Sequence, residues 1–496
     1  VGKLREARCD RVETIEFHEK PAQMVSTSLD LYRQAASRLD ELIELTPPRT
    51  DLTPAGIRAR AEQRMGRLRR FLDQLGDPLS GYPIVHIGGT SGKGSTSSAI
   101  AAILQAAGYR TGLHTSPYLQ VPTEKLQLNG QLISADTYTR LTNDLLAEHE
   151  TWKARGEEGL TYGEAWIALM ALYFRDQKVD IAVVEVGAGG RFDLTNLLTP
   201  VLSVITSVGI DHTNTLGSTL EEIAWHKAGI IKPGVPSISA VTAPAARRIM
   251  AEEAEAVGSD LLQIDADRAI RDVRVARGAT SWTDSETGES FSIGLAGSFQ
   301  AQNGNLAVAI ARRLRESGFS ISDEAIDQGL RKASIPGRAE YVPDVVTVLL
   351  DGAHNRDKIE ALAKDIPFLL PVPEGGRRIA VIGALEAKQT DEMLALLAPH
   401  VDTLVATSPQ VLAKASREAS ALADTARNAG FGTSVFVEPD PKSAIIRAIE
   451  LARPESGDAV LVTGSLYLVG NIRERWYRSD DIVETQSSWP ATARSS

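Results

Sequence analysis

The chain has 496 residues, 43% apolar and 24% charged, an ordinary globular composition in a length that suits two or three domains rather than one core. Its net charge of −11 argues against a general nucleic-acid binder, which needs a basic footprint, but leaves room for a small anion in a local positive site. A single cysteine, Cys9, excludes an internal disulfide framework and a four-thiolate metal site. No apolar run approaches the roughly 18 residues of a membrane span and the first residues lack an apolar signal core, so neither a membrane partner nor a leader is expected and the cytoplasm is the default compartment.

Residues 1–27 are polar and weakly periodic and read as a loose N-terminal arm. Ser28–Leu45 sets Leu29, Leu31, Ala35, Leu39 and Leu42 at helical spacing. Arg58–Leu75 does the same with Met65, Leu68, Leu72 and Leu75, and Gly76-Asp77-Pro78 ends that helix. Ile84–Ile87 predicts a strand, and Ser95–Ala107 a helix rich in small residues with Gly108 as its C-cap. Thr161–Phe174 predicts a helix. The runs Ile181–Val186 and Val201–Thr206 lack polar alternation, as strands buried on both faces of a parallel sheet do. Residues 270–295, rich in Thr, Ser and Gly with short alternating runs, predict hairpins. Ser334-Ile335-Pro336-Gly337-Arg338 breaks the pattern, and a second αβ series starts with a strand at Val345–Leu350. The expected domains are therefore 28–338 and 339–478, with a disordered tail at 479–496.

The stretch Pro83–Thr96 reads P-I-V-H-I-G-G-T-S-G-K-G-S-T. It departs from the usual phosphate loop G-x-x-x-x-G-K-[ST], because Gly94 follows Lys93. The physical requirements are nonetheless met by Gly89, Thr90, Ser91, Gly92, Lys93, Gly94, Ser95 and Thr96. Glycines allow close backbone approach, consecutive N–H groups and a helix N-terminus favour an anion, Lys93 adds a full charge, and Ser95 offers a hydroxyl suited to Mg²⁺. The competing reading is a tight strand-to-helix turn without a ligand.

G-T-S-G-K-G-S at 89–95 resembles the ATP-binding loop of the Mur ligase superfamily, specifically of folylpolyglutamate synthase/dihydrofolate synthase, which usually has asparagine at the place of Ser91. The likeness continues, in the family's order, over roughly residues 30–475. It implies an α/β fold: a P-loop-containing, Mur-ligase-like ATPase domain with a parallel sheet, then a smaller Rossmann-like α/β domain. Glu185, in E-V-G-A-G-G-R-F-D-L-T-N, matches the family's Mg²⁺ ligand; its alternatives are a pair with Arg191 or a cap on a neighbouring helix. Asp193, Thr195 and Asn196 in the same segment can instead shape the loop. His212, in G-I-D-H-T-N, stands where the family places a ligand for a second Mg²⁺. Lys227 matches a lysine that is often carbamylated, a change that needs a neutral amine. His226 beside it replaces a common glutamate.

In G-S-F-Q-A-Q-N at 297–303, the resemblance places Gln300 and Asn303 near the nucleotide, although either residue can cap a helix. Arg338, in P-G-R-A-E, would reach the ATP phosphates from the interdomain linker. Asp351 and His354, in D-G-A-H-N, match residues at the ribose and near the phosphates; Arg356 follows where proline is common. G-S-L-Y-L-V-G at 464–470 matches a C-terminal signature without an assigned role. Thr115, Ser116, Pro117 and Tyr118 resemble the family's T-S-P-H substrate loop, with Tyr118 for histidine and a divergent sequel in which Glu124 and Lys125 survive in kind.

Together these imply an ATP-dependent ligase that adds L-glutamate to a folate or dihydropteroate carboxylate, with two Mg²⁺ ions, acting as a monomer on small molecules. The alternatives are a ligase of the same superfamily with another carboxylate acceptor, and an ATP-binding regulator without turnover. A motor or GTPase switch lacks support, since the chain has no second glycine-rich NTPase loop and no N-K-x-D.

Overall fold

The structure, a computed structural model, describes residues 26–44, 53–211, 213–412 and 414–491. Almost all of the N-terminal arm, and His212, therefore lie outside the described residues. The first sheet contains β1 (Ile84–Gly88), β2 (Thr111–His114), β3 (Leu126–Leu128), β4 (Gln131–Leu132), β5 (Ile181–Glu185), β6 (Leu202–Ile205), β7 (Ser237–Ser239) and β8 (Leu261–Gln263). Their order is β4-β3-β2-β5-β1-β6-β7-β8. It is parallel from β2 to β8, and only the β2-β3-β4 edge is antiparallel.

Alternation decides how this sheet is covered. Ile84, Ala182 and Val184 face one layer, built by the helices Ser28–Glu44, Ala135–Ala154 and Tyr162–Asp176, with Phe71 from the helix Pro54–Gln74. Val85, Ile87, Val183 and Val204 face the other, built by the helices Lys93–Ala106, Phe299–Glu316 and Asp323–Lys332. Both faces are buried, which is why these strands read as continuous apolar runs. The second predicted helix starts earlier than Arg58, at Pro54, because Thr53 Oγ1 accepts from the Gly56 N–H at 3.1 Å and proline suits the first turn.

Residues 270–293 form an antiparallel sheet of β9 (Ile270–Ala276), β10 (Ala279–Asp284) and β11 (Ser290–Ile293), as the hairpin reading anticipates. The last sheet holds β12 (Glu340–Pro343), β13 (Thr347–Leu350), β14 (Arg378–Ile382), β15 (Thr403–Ala406), β16 (Val435–Val437) and β17 (Ala459–Thr463), ordered β12-β13-β17-β14-β15-β16. It is parallel except for the edge pair β12-β13.

The expected disordered tail is corrected for residues 479–491. A helix forms at Ser479–Thr485, and its Ile482 and Val483 join the apolar layer that includes Tyr138. Beyond it, the indole of Trp489 donates to Glu340 Oε1 at 2.7 Å, and Arg473 Nη2 donates to Ser488 O at 2.6 Å. Two buried aliphatic side chains and an indole anchor are enough to dock a segment whose composition is polar overall.

Candidate active site

The loop between β1 and the helix Lys93–Ala106 is sewn to the segment that follows β6. Thr90 N donates to Ser207 O (3.0 Å), Ser91 N to Ser207 Oγ (2.9 Å), and Thr206 Oγ1 to Ser91 O (2.6 Å). Gly89 has φ 147°, and a Cβ there would lie 1.9 Å from Thr206 Oγ1, so only glycine fits. Lys93 Nζ folds back onto Gly89 O at 3.2 Å. Gly89 to Ser95 all line a cavity of about 400 Å³. Thr96 is fully buried behind them. Asn303 lines the cavity, whereas Gln300 is fully buried and accepts from Asn303 Nδ2 at 2.9 Å, positioning it from behind. Gln302, which sequence reasoning passed over, lies on the wall.

Glu185 ends β5 and is buried at the cavity, its Oε2 accepting from the Ser116 N–H at 3.1 Å. Burial raises its pKa, against Lys93, Arg338 and Lys358, which lower it. Arg191, the alternative partner, is paired instead with Glu253 at 2.6 Å and lies over the Trp225 ring. A buried carboxylate and the Ser95 hydroxyl, lining one cavity, offer the hard oxygen donors that Mg²⁺ prefers, so these residues fit the ion. Among the described residues no cluster of three or more His, Cys, Asp and Glu side chains forms an all-protein cage. Lys227 is buried on the same cavity, and burial followed by the Lys93 charge pulls its amine down to about 7. Asp193, Thr195 and Asn196 shape the loop: Asp193 accepts from Ala188 N and Thr195 N, and Asn196 Nδ2 donates to Arg191 O and Gly229 O.

The opposite wall comes from the last sheet and the linker that leads into it. Arg338, Asp351 and His354 all line the cavity. Asp351 accepts from Ala339 N and Ala353 N, both at 2.9 Å, which ties the linker to the turn after β13. His354 Nδ1 lies 2.8 Å from Gly352 O, and its Nε2 lies 3.1 Å from Lys358 Nζ. Burial and then the Lys358 charge hold this imidazole well below its usual pKa, so it is neutral. The two halves are joined by Asp211, which accepts from Asn355 Nδ2 and Lys388 Nζ, both at 3.1 Å. Sequence reasoning missed Asp211, Lys358 and Lys388. The spacing His354–Lys358, four residues across the start of a helix, was the available signal for one of them. In the 464–470 signature, a Cβ at Gly470 would lie 2.1 Å from Leu119 O, so this glycine lets the last sheet's helix Leu466–Arg473 meet the loop at 115–120.

Ser116 and Pro117 line three cavities at once: the one above, a second of about 390 Å³, and a third of about 930 Å³. Thr115 lines only the second, and Tyr118 the second and third. The largest cavity carries Tyr118, Tyr162, Phe192 and Tyr467 with Arg60, Arg64 and Lys125. Glu124 is buried and holds the loop by accepting from Leu119 N (2.7 Å) and Gln120 N (2.8 Å). Lys125 Nζ sits 3.9 Å above the Trp166 ring, and burial, partly offset by Asp40, lowers its pKa to about 7. His226 also lines this cavity, packed against Phe192 and Trp225.

Comparison with known proteins gives two family matches. Residues 87–311 match the Mur ligase middle domain, and residues 337–466 the Mur ligase glutamate ligase domain. The dihydrofolate synthase/folylpolyglutamate synthase of Bacillus subtilis (strain 168) is 36% identical over 421 residues, covering 83% of this chain and 94% of the relative. A Mycobacterium tuberculosis folylpolyglutamate synthase solved with ADP has a TM-score of 0.79 at 27% identity, covering 90% of this chain and 99% of that one. The bifunctional folylpolyglutamate synthase/dihydrofolate synthase of Yersinia pestis c092, solved with AMPPNP and Mn, has a TM-score of 0.71 at 28% identity, covering 89% and 97%.

Proposed function

The chain belongs to the folylpolyglutamate synthase/dihydrofolate synthase family of Mur ligases and is an ATP-dependent acid–amino-acid ligase, and we propose from this premise how its own residues carry the reaction. The observation that carries the reading is the position of Ser116-Pro117 at the junction of three cavities, beside both the phosphate loop and the aromatic-lined chamber. A pterin and aminobenzoyl system fits the chamber of Tyr118, Tyr162, Phe192 and Tyr467, and Arg60 and Arg64 suit its carboxylates. Its reacting carboxylate then passes Ser116 to meet the γ-phosphoryl group at the phosphate loop.

A carboxylate and an amine do not condense unaided. Transfer of the γ-phosphoryl group to the acceptor carboxylate gives an acyl phosphate and ADP; attack by the amine of L-glutamate gives the amide and releases phosphate. Lys93 and the loop N–H groups bind the phosphates, Arg338 meets charge developing from the linker side, and Asn303 and Asp351 lie along the nucleotide. Ser95 and Glu185 would hold one Mg²⁺ and Lys227 a second, for which the family resemblance also names His212, and such ions would draw negative charge off the phosphoryl oxygens. The lowered pKa of Lys227 supports carbamylation, because only a neutral amine reacts with carbon dioxide. Closure of the two halves through Asp211, Asn355 and Lys388 excludes water from the acyl phosphate. The single cysteine and acidic net charge support a reducing compartment and small-molecule partners, with the chain acting as a monomer.

The test is ADP release by the purified chain with Mg-ATP, with and without L-glutamate, against dihydropteroate, tetrahydrofolate and no acceptor. The expected result is release that requires both glutamate and a pterin. Glutamate-dependent release with a different carboxylate would reassign the acceptor, and no release under any condition would leave a non-catalytic ATP binder.

A further inference from the structure

Lys358 stands in the first turn of the helix Arg356–Leu369, where its N–H donates to the capping Asn355 Oδ1 at 3.0 Å. Its side chain lines the nucleotide cavity from the C-terminal half. Among the described residues no carboxylate lies within ion-pair distance of its amine. The neighbouring carboxylates are engaged elsewhere: Asp211 with Lys388 and Asn355, Asp351 with two backbone N–H groups, and Glu185 with the Ser116 N–H. What the amine does meet is His354 Nε2, at 3.1 Å. That ring is fixed from its other side by Gly352 O, so Nδ1 carries the proton and Nε2 accepts from lysine.

Burial, then Arg338 and Lys93, lower the Lys358 pKa to about 7, with Asp211 partly offsetting them, and Lys358 in turn acts on Lys227 and Glu185. A buried amine among cations, with Asp211 already shared by Lys388 and Asn355, is destabilising in the ligand-free protein, and a polyanion in the cavity offsets that. We propose that Lys358, aimed by His354, is a second amine that binds the oxygens of the transferred phosphoryl group, from the wall opposite Lys93. This rests on the ligase reading above. In the step concerned, the bond from γ-phosphorus to the β-bridging oxygen breaks, a bond to the acceptor carboxylate oxygen forms, and ADP departs. Lys358 keeps its protons throughout and supplies only charge and hydrogen bonds. His354 is a positioning residue for Lys358 rather than a phosphate ligand.

The experiment compares Lys358→Met, Lys358→Arg, His354→Ala and the double variant His354→Ala/Lys358→Met with the full wild-type chain. Lys358→Met is expected to lower kcat/KM for ATP about 10²-fold, through both turnover and binding of the γ-phosphoryl group. Lys358→Arg should retain at least about a tenth of turnover, and the double variant should be no slower than Lys358→Met, because the two residues act as one unit. The ligand-free melting temperature of Lys358→Met should equal or exceed that of wild type, since a buried charge without an ion-pair contact is removed. A purely structural lysine would lower it. Independently of turnover, AMPPNP with Mg²⁺ should stabilise wild type more than ADP with Mg²⁺ does, and Lys358→Met should lose that difference. Wild-type turnover in Lys358→Met, or an unchanged AMPPNP-over-ADP difference, overturns the proposal. A wild-type chain that releases no ADP with pterin and glutamate defeats the ligase reading instead, and the melting comparison still decides Lys358.

Discussion

The nucleotide cavity and the aromatic chamber meet at Ser116-Pro117 but are built differently. The first takes most of its wall from short loops at the carboxyl ends of parallel strands: 89–95 after β1, 187–189 after β5, 206–209 after β6 and 351–354 after β13. The second takes side chains from segments far apart in the chain, among them Ile57–Arg64, Tyr118–Gln120, Tyr162, Phe192, His226 and Tyr467. A strand-end loop presents backbone groups wherever its strand stops, so its chemistry is local. A chamber of side chains exists only after the helices and the first and last sheets are assembled, so its chemistry is not.

This contrast can be broken by variants on either side. The largest effect is expected for Lys93→Ala, a loss of about 10³-fold or more in ligation with the melting temperature little changed, checked by ADP release and thermal unfolding. Normal turnover would remove the loop from the chemistry. Arg338→Ala should follow, lowering kcat about 10²-fold while KM for ATP moves less than about threefold. An effect confined to KM would make Arg338 a ground-state ligand. On the chamber side, Tyr118→Ala should raise KM for the pterin acceptor about 10-fold, leaving KM for ATP and glutamate nearly unchanged. Equal rises for all three substrates would mean that the loop has lost its shape rather than a contact.

The smallest effect sharpens the comparison through pH. The Lys125 amine titrates at about 7 in the folded chain, below its ordinary value of 10.5, so between those values the unfolded chain holds the extra proton. Stability therefore rises with pH across that window, and the full penalty of the charged amine is present below it. Lys125→Met should raise the melting temperature at pH 7 by a few degrees, at about 2–4 °C per kcal/mol, with the gain shrinking toward pH 10. A gain that does not change with pH would mean that packing on Trp166, not charge, is what changed.

Legibility followed the same division. The helix ending in Gln74, the strands at 84, 181 and 202, the hairpins near 270–293 and the loop at 89–95 were readable, because turn residues and apolar runs act over short distances. The docked tail was not, because Ile482, Val483 and Trp489 find their partners on residues well over a hundred positions away. Gln300 and Asn303 were readable as a pair, but only packing put Asn303 on the wall and Gln300 behind it. His354 was singled out for its motif, while Lys358, which its ring holds, drew no attention as one lysine in a helix.

The order of residues by itself therefore determined that a glycine-rich turn with one embedded lysine stands between a buried strand and a helix, and that a second αβ unit follows a Pro-Gly-Arg linker. Steric freedom at glycine, strand burial and turn chemistry are properties of neighbours in the chain. Tertiary structure alone decided which charges face one another across the cavity, which amines lose their water and drop toward pH 7, and which aromatic rings line the chamber. Those outcomes depend on distances between groups that only the assembled sheets bring together, and on the desolvation that accompanies their assembly.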